Sequence, residues 1–389
     1  MKKVYLDHGA TTRLNPEVLE TMMPYFLDLY GNPSSIHYFG REVRKGIEEA
    51  REKVAAAIGA EPREIVFTSG ATEADNIAVR GIARALQAKG NHIITSAVEH
   101  HAVIDACLAL KNEGFEITLV PVDAEGIVNV KDVADAITDK TILISIMMAN
   151  NEVGSIQPVA EIGKLAHERG IYFHTDAVQA IGNLPVNVND LHCDLLSMSA
   201  HKFYGPKGVG ALYVRKGTKL KVFSFGGAQE RKMRPGTENV PGIIGMGKAI
   251  ELAVSKMNEN APRIQAMRDR LIDGIMKIED TKLNGHPTER LPGNVNVSIQ
   301  YIEGESLILS MDLKGIAASS GSACTSGSLD PSHVLMAMGL DHQTAHGSLR
   351  MTLGVENTEE DLDYVLEVIP EIVTRLRSMS PFYACKAKE

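Results

Sequence analysis

The chain of 389 residues contains only four cysteines, Cys107, Cys193, Cys324 and Cys385, and they are far apart. There is no C-x-x-C pair and no metal-ligand spacing, so zinc-site and redox-pair readings fall away and no metal is expected. Four scattered cysteines in a chain of this size make no disulfide framework, which leaves free thiols in a reducing compartment. No apolar run approaches the ~18 residues needed to cross a bilayer, so no membrane partner is expected. The opening "MKKVYLDHGATT" turns polar at Asp7 and lacks the apolar stretch of a signal peptide. A cytoplasmic protein is the expectation. Basic excess is missing too: a net charge of −9 and a pI near 5.8 argue against a nucleic-acid partner. Neither G-x-x-x-x-G-K-[ST] nor G-x-G-x-x-G occurs, so NTPase and dinucleotide readings fade, and no H-E-x-x-H marks a metalloprotease.

What is present is an ordinary globular composition, 44% apolar and 23% charged, long enough for a large core and more than one domain. From about residue 45 to 215, short apolar runs alternate with segments of helical spacing. The strand candidates are 64–68, 92–96, 116–121, 141–147, 171–176, 194–199 and 210–214, with helix-like stretches such as "ATEADNIAVRGIARALQAKG" between them. This alternation predicts an α/β protein with a mainly parallel sheet covered on both faces. The last two candidates are joined too tightly for a helical crossover, so one antiparallel strand is expected. Residues 226–242, "GGAQERKMRPGTENVPG", have no periodicity and read as a long functional loop. A helix is expected over roughly 260–279. The strand-like "GNVNVSIQY" and helix-like "GESLILSMDLKG" then indicate a second, smaller domain from about residue 258.

In open parallel sheets, ligands bind beyond the C-terminal ends of the strands. After "EIVFT" comes "SGATEADN", a glycine turn opening a helix. The N–H groups of Ala71, Thr72 and Glu73 there suit a phosphate, though a plain helix cap has the same signature. "EHHAV" follows 92–96; its adjacent histidines point apart and make a poor metal site. Asp176 ends the strand at 171–176, with Gln179 one turn on, and an acid in that place also serves as a helix cap. Lys202 follows an apolar strand directly. Partial desolvation there lowers a lysine's pKa and makes its amine nucleophilic, whereas Lys207 reads as a surface lysine. A lysine for a Schiff base, an acid for a pyridinium nitrogen and a helix start for a phosphate together suit pyridoxal phosphate (PLP).

Ten stretches then occur in order: "YLDHGATT", "YGNPSSIH", "FTSGATEADN", "EHHAV", "NNEVGSIQP", "HTDAVQA", "SAHKFYGPKGVGALY", "RPGTENV", "SSGSACTSGSLDPSHVL" and "AHGSLRMTLG". Through them the chain resembles the group I, NifS/IscS-type cysteine desulfurases of the PLP-dependent fold-type I, class V aminotransferase superfamily. The resemblance implies an arm at 1–13 associated with the small domain, a large PLP-binding domain at 14–257 with a mainly parallel seven-stranded sheet, and a small α+β domain at 258–389. It implies that Lys202 carries PLP, Asp176 pairs with the ring nitrogen, Gln179 with the ring hydroxyl, and His100 stacks on the ring and assists proton transfer. Ala71, Thr72, Ser199 and His201 would bind the phosphate, with Thr237 reaching in from the second subunit of a homodimer. Asn151 and Arg350 would hold the substrate carboxylate. Many relatives read "LDNNATT" where this chain has Asp7-His8-Gly9, beside the substrate site.

The implied reaction takes L-cysteine to L-alanine and leaves its sulfur on Cys324 as a persulfide, bound for an iron–sulfur scaffold or another acceptor protein. Among the cysteines only Cys324 lies in a run of small residues, "SSGSACTSGS". A thiol that meets PLP and then a partner needs a mobile tether, and Ser and Gly supply that freedom. Cys107 and Cys193 have apolar neighbours and read as core residues; Cys385 reads as incidental. The rival enzyme readings on this fold are a selenocysteine lyase or a class V aminotransferase; an aminotransferase would not need Cys324. The non-enzyme rival is an inert scaffold, against which Lys202, Asp176 and Cys324 speak.

Overall fold

The computed structural model of the chain describes residues 2–320, 331–381 and 383. Cys324 and Cys385 therefore lie outside the described residues, as does most of the cysteine segment. Seven strands form the main sheet: β2 (Ile65–Thr68), β3 (His92–Ser96), β4 (Glu116–Val120), β5 (Thr141–Ser145), β6 (Tyr172–Asp176), β7 (Leu195–Ser199) and β8 (Gly210–Val214). Their order is β2-β8-β7-β6-β5-β3-β4. All pairs are parallel except those of β8, which runs against both β7 and β2. The antiparallel strand is the one expected from the tight connection after β7. The inner strands are buried on both faces, which is why they read as near-continuous apolar runs. Only β4, at the edge, has exposed residues, Glu116 and Leu119.

Helices cover both faces. Helix Ala71–Leu86 turns Ala74, Ile77, Ala78, Ile82 and Leu86 onto one face of the sheet. Helices Tyr38–Ala57 and Val240–Ser255 pack together on the other. The second of these differs from the sequence expectation, which places residues 226–242 in a loop and a helix only from about 260. Pro241 sits in the first turn, where a missing N–H costs nothing. Gly245 and Gly247 admit close neighbours, since a Cβ on Gly247 would stand 2.7 Å from the Cα of Ala50. Tertiary packing thus overrides weak local propensity. The following helix runs Met257–Ile275, earlier at both ends than the sequence pattern indicated.

A separate apolar core lies beyond it. Strands β9 (Thr281–Leu283), β10 (Asn294–Ile299) and β12 (Ser348–Thr352) form an antiparallel sheet. Helices Met257–Ile275 and Glu359–Met379 pack on it. The N-terminal strand β1 (Val4–Tyr5) pairs with β11 (Ile316–Ala317), and Val4 and Leu6 enter this second core. Residues 7–12 then cross to the main sheet, where the Thr12 hydroxyl donates to the carbonyl of His201 at 2.9 Å. No helix among the described residues is long and apolar enough to cross a membrane.

Candidate active site

The C-terminal ends of β2, β3, β6 and β7 open into a cavity of about 530 Å³. Its wall holds Ala71, Thr72, His100, Asn151 and Asp176, and also Gln179, Ser199, His201, Lys202 and Arg350. Ten of the twelve residues singled out from sequence therefore converge. Thr237 is not among the lining residues and is exposed. Cys324 lies outside the described residues. A second cavity, of about 320 Å³, opens on the other side of Lys202 at the junction of the two cores. It shares Gly9, Gln179 and Lys202 but has neither Asp176, His100 nor the helix start.

Each side chain is placed by local structure. Gly70 precedes helix Ala71–Leu86 and offers no side-chain cap, so the first N–H groups of that helix face the cavity wall unshared by Gly70. A Cβ on Gly70 would meet nothing nearer than the Ser199 hydroxyl at 4.0 Å. Any larger residue would project into the space that an anion needs. Gly210 lets this turn approach β8, since a Cβ there would stand 2.8 Å from the Cα of Gly70. Lys202 leaves the end of β7 and donates to the carbonyls of Gly9 at 2.5 Å and Ala10 at 2.8 Å. Gln179 donates to the same Gly9 carbonyl at 3.0 Å. The Asp176 carboxylate accepts from the N–H of Val178 at 2.9 Å. It closes a turn as well as facing the cavity.

His100 caps helix His101–Lys111, its Nδ1 accepting from the N–H of Ala102 at 3.1 Å. That assigns the proton of the neutral ring to Nε2. Burial lowers the His100 pKa, with Lys202 adding to the effect and Asp176 opposing it. His201 is pushed down to about 4 by burial and by Lys202 and Lys207, so it is neutral at physiological pH. The buried Arg350 donates to Asp7 at 3.0 Å and to the carbonyl of Asn151 at 3.2 Å, and its Nε has no partner among the described residues. An oriented guanidinium with an unused donor suits a carboxylate ligand. The backbones of Ser319 and Arg350 pair in both directions, at 3.1 and 2.7 Å. The chain entering the Cys324 segment is thus fixed at this wall.

Sequence reasoning missed two features. The Gly9 and Ala10 carbonyls that receive Lys202 come from the arm, and no pattern marks a backbone carbonyl. Asp7 pairs with Arg350, whereas His8 turns away from the cavity toward Tyr5 and Tyr204. The second feature is a buried acidic layer behind Asp176. Asp75 faces the cavity and is fully buried; burial and then the Asp176 charge raise its pKa. His174 lies on the same face of β6 as Asp176. Its Nε2 is 3.5 Å from Asp75 and 3.0 Å from the Ser197 hydroxyl, and burial lowers its pKa to about 3. Acids at helical positions usually face solvent, so spacing alone gave Asp75 no distinction.

Glu99 belongs to the same layer. Its carboxylate accepts from the Ser96 hydroxyl at 2.7 Å and the N–H of Met147 at 2.9 Å, yet burial dominates and raises its pKa to about 8. Unfolded, it titrates near its ordinary 4.5. Between those values the folded chain binds the extra proton, so stability falls as pH rises through the interval. Glu99→Gln cannot ionise and is expected to flatten that slope. The gain above pH 8 should be on the order of a few kcal/mol, vanishing at acid pH where both forms are neutral. Denaturant unfolding across the pH range checks this; an unchanged slope would show that Glu99 does not carry it.

The residues present fit PLP. A helix start with a bare glycine, hydroxyls at Thr72 and Ser199, a lysine at a strand end and a buried acid match its phosphate, aldehyde and ring nitrogen. The Aminotransferase class-V family model matches residues 4–365. The chain belongs to that family. Among its relatives, cysteine desulfurase IscS of Methanosarcina thermophila is 58% identical, over 98% of this chain and 94% of the relative. IscS of Dictyoglomus turgidum is 57% identical, covering 98% and 97%. Of solved structures, a NifS-like protein superposes with a TM-score of 0.91 at 40% identity, covering 96% of this chain and 100% of that one. A structure of SspA in complex with cysteine gives a TM-score of 0.80 at 36% identity, covering 90% and 99%. The class V aminotransferase resemblance and the α/β fold with its seven-stranded sheet are therefore established, and membership of the family implies PLP as the cofactor.

Proposed function

We propose that this chain is a PLP-dependent cysteine desulfurase. It converts L-cysteine to L-alanine and delivers the sulfur, as a persulfide on Cys324, to an acceptor protein for iron–sulfur cluster assembly. One observation carries the reading: a single cavity joins Lys202, Asp176, His100 and the Gly70 helix start to Arg350 and Asn151, and the chain entering the Cys324 segment pairs with Arg350. The IscS names of the relatives and the cysteine complex of SspA support the choice of substrate.

PLP, when bound, supplies an electron sink that acidifies the substrate α-carbon and loosens its carbon–sulfur bond. The rest is the work of this chain. Ala71, Thr72, Ser199 and His201 would hold the phosphate. Asp176 and Gln179 would hold the ring polar atoms, with His100 beside the ring. Burial raises Asp176, whereas the Val178 N–H and the Lys202 charge favour its charged form, as a protonated ring nitrogen opposite it would. Arg350 and Asn151 orient the substrate carboxylate. Lys202 Nζ would hold the cofactor until the substrate amine replaces it, and the freed amine would then take the α-proton. The Cys324 thiolate forms a sulfur–sulfur bond as the carbon–sulfur bond breaks. L-cysteine and a thiol become L-alanine and a persulfide, so the exchange balances without an outside oxidant.

The arm at 1–13, the large domain at 14–257 and the small domain at 258–389 divide the chain, a reading supported by the two separate cores. The protein acts as a homodimer in which Thr237 serves the phosphate site of the second copy. Thr237 is exposed, on a loop held by the buried pairing of Glu230 with Arg51 at 2.8 Å. Leu27, Tyr30, Ile36 and Tyr38 are all more than half exposed, an apolar area that a second copy would cover. The reducing-compartment reading of the cysteines supports a cytoplasmic location.

The test is a single turnover of the PLP-loaded protein with L-cysteine. Alanine and protein-bound sulfane sulfur are expected together, in equal amounts. An aminotransferase would give a keto acid with no bound sulfur, and a selenocysteine lyase would leave cysteine untouched. Either result would replace this reading.

A further inference from the structure

Residues 331–337 carry two polar contacts that helix formation does not require. Ser332 caps helix His333–Ala337, its hydroxyl accepting from the N–H of Leu335 at 3.2 Å. The same hydroxyl donates to the buried carboxylate of Glu152. The next residue, His333, donates from Nε2 to the carbonyl of Glu99 at 3.0 Å. A carbonyl only accepts, so Nε2 bears the proton. Burial lowers the His333 pKa, which keeps the ring neutral.

The receiving residues are neighbours of the catalytic set. Glu152 follows Asn151, and Glu99 precedes His100. Both turns are rigid. The N–H of Glu152 donates to Asn150 at 2.8 Å, and its carbonyl receives the side-chain amides of Asn294 and Asn296 at 3.1 and 3.0 Å. Glu99 is held by Ser96 and Met147. Beneath the polar contacts, Val334 and Leu335 pack against Val98 and Val153, one apolar residue from each turn. At the other end of the cysteine segment, Ser319 is paired with Arg350. The chain on either side of residues 321–330 is therefore tied to the turns or strand presenting Asn151, His100 and Arg350.

We propose that Ser332 and His333 are positioning residues for sulfur transfer: through Glu152 and the Glu99 carbonyl they anchor the chain following Cys324 to the turns that present Asn151 and His100. The idea rests on the desulfurase reading. Fixing the described chain on both sides of a thiol keeps that thiol at high effective concentration near the substrate, and losing an anchor lowers that concentration without touching the cofactor. The anchors therefore act on the sulfur step and leave cofactor loading and cysteine binding alone.

The experiment uses the PLP-loaded dimer or monomer as purified, with wild type, His333→Phe, His333→Gln, Ser332→Ala and the Ser332→Ala/His333→Phe pair. Phe keeps a ring but loses the donor; Gln restores an N–H of similar reach. Two quantities are read in single turnover: the change in visible absorbance on titration with L-cysteine, and the rate of sulfane sulfur appearance on Cys324 by mass spectrometry. The absorbance titration should be unchanged within about two-fold in every variant. Sulfur appearance should slow about ten-fold in His333→Phe, recover most of the rate in His333→Gln, and slow further in the pair. If His333→Phe fails to fold, Ser332→Ala carries the same comparison. Wild-type sulfur transfer by both His333→Phe and Ser332→Ala overturns the proposal. So does a slowdown matched by an equal loss of cysteine binding, which would make these residues mere wall. A wild type that forms no persulfide overturns the desulfurase reading itself, which separates the two failures.

Discussion

Lys202→Ala protein should keep PLP by its phosphate and ring contacts but lose the visible absorbance of lysine-bound cofactor, and alanine formation should fall by about 10⁴-fold or more. The ammonium of Lys202 sits at the end of β7, held by the Gly9 and Ala10 carbonyls. The other lysine of the cavity wall is Lys207. Lys207 donates to the carbonyl of Thr12 at 3.4 Å, a longer contact on the same arm. Removing Lys202 takes away both the covalent hold on the cofactor and the base for the α-proton, and Lys207 does not stand where Lys202 does. Absorbance spectra and an alanine assay decide the matter. Normal turnover by Lys202→Ala would transfer the role to another amine, and Lys202→Ala/Lys207→Ala would identify it.

Cys324→Ser protein should retain the cofactor spectrum and its response to L-cysteine, yet lose at least about 10³-fold in sulfur release, because a hydroxyl is a far poorer nucleophile toward sulfur than a thiolate. The described cysteines are unsuited to replace it. Cys107 and Cys193 are fully buried in the two cores flanking the main sheet. Burial raises both thiols, Cys193 to about 12, so neither forms thiolate near neutral pH. Cys107→Ser and Cys193→Ser should therefore keep activity and lose only modest stability, as a hydroxyl replaces a buried thiol. Mass spectrometry after cysteine treatment locates the sulfur. An adduct on another cysteine, together with full activity in Cys324→Ser, would remove Cys324 from the mechanism.

Much of this architecture was legible in one dimension. The strands announce themselves because a parallel strand buried on both faces reads as a near-continuous apolar run, as in "TILIS" of β5 and "LLSMS" of β7. The strand-end rule then pointed to Asp176 and Lys202, at or just beyond the ends of such runs, whereas His100 and Ser199 were singled out only by the family resemblance. Helix Val240–Ser255 escaped because its glycines and proline weaken local propensity, and its stability comes from packing on helix Tyr38–Ala57.

The sequence by itself determined which chemical groups are available and on which side of each strand or helix they emerge, because backbone periodicity sets direction locally. Only the tertiary structure decided which groups meet and in what protonation state. Lys202 and the Gly9 carbonyl that receives it are 193 residues apart. Asp75, Glu99 and Asp176 come from three elements, and each acid is raised chiefly by burial that no single element provides. A pKa depends on desolvation and on charges within a few ångströms, and both exist only once distant segments have packed. The same holds for Ser332 and His333: their types are plain in the sequence, but the Glu152 carboxylate and Glu99 carbonyl they reach lie 180 and 234 residues away.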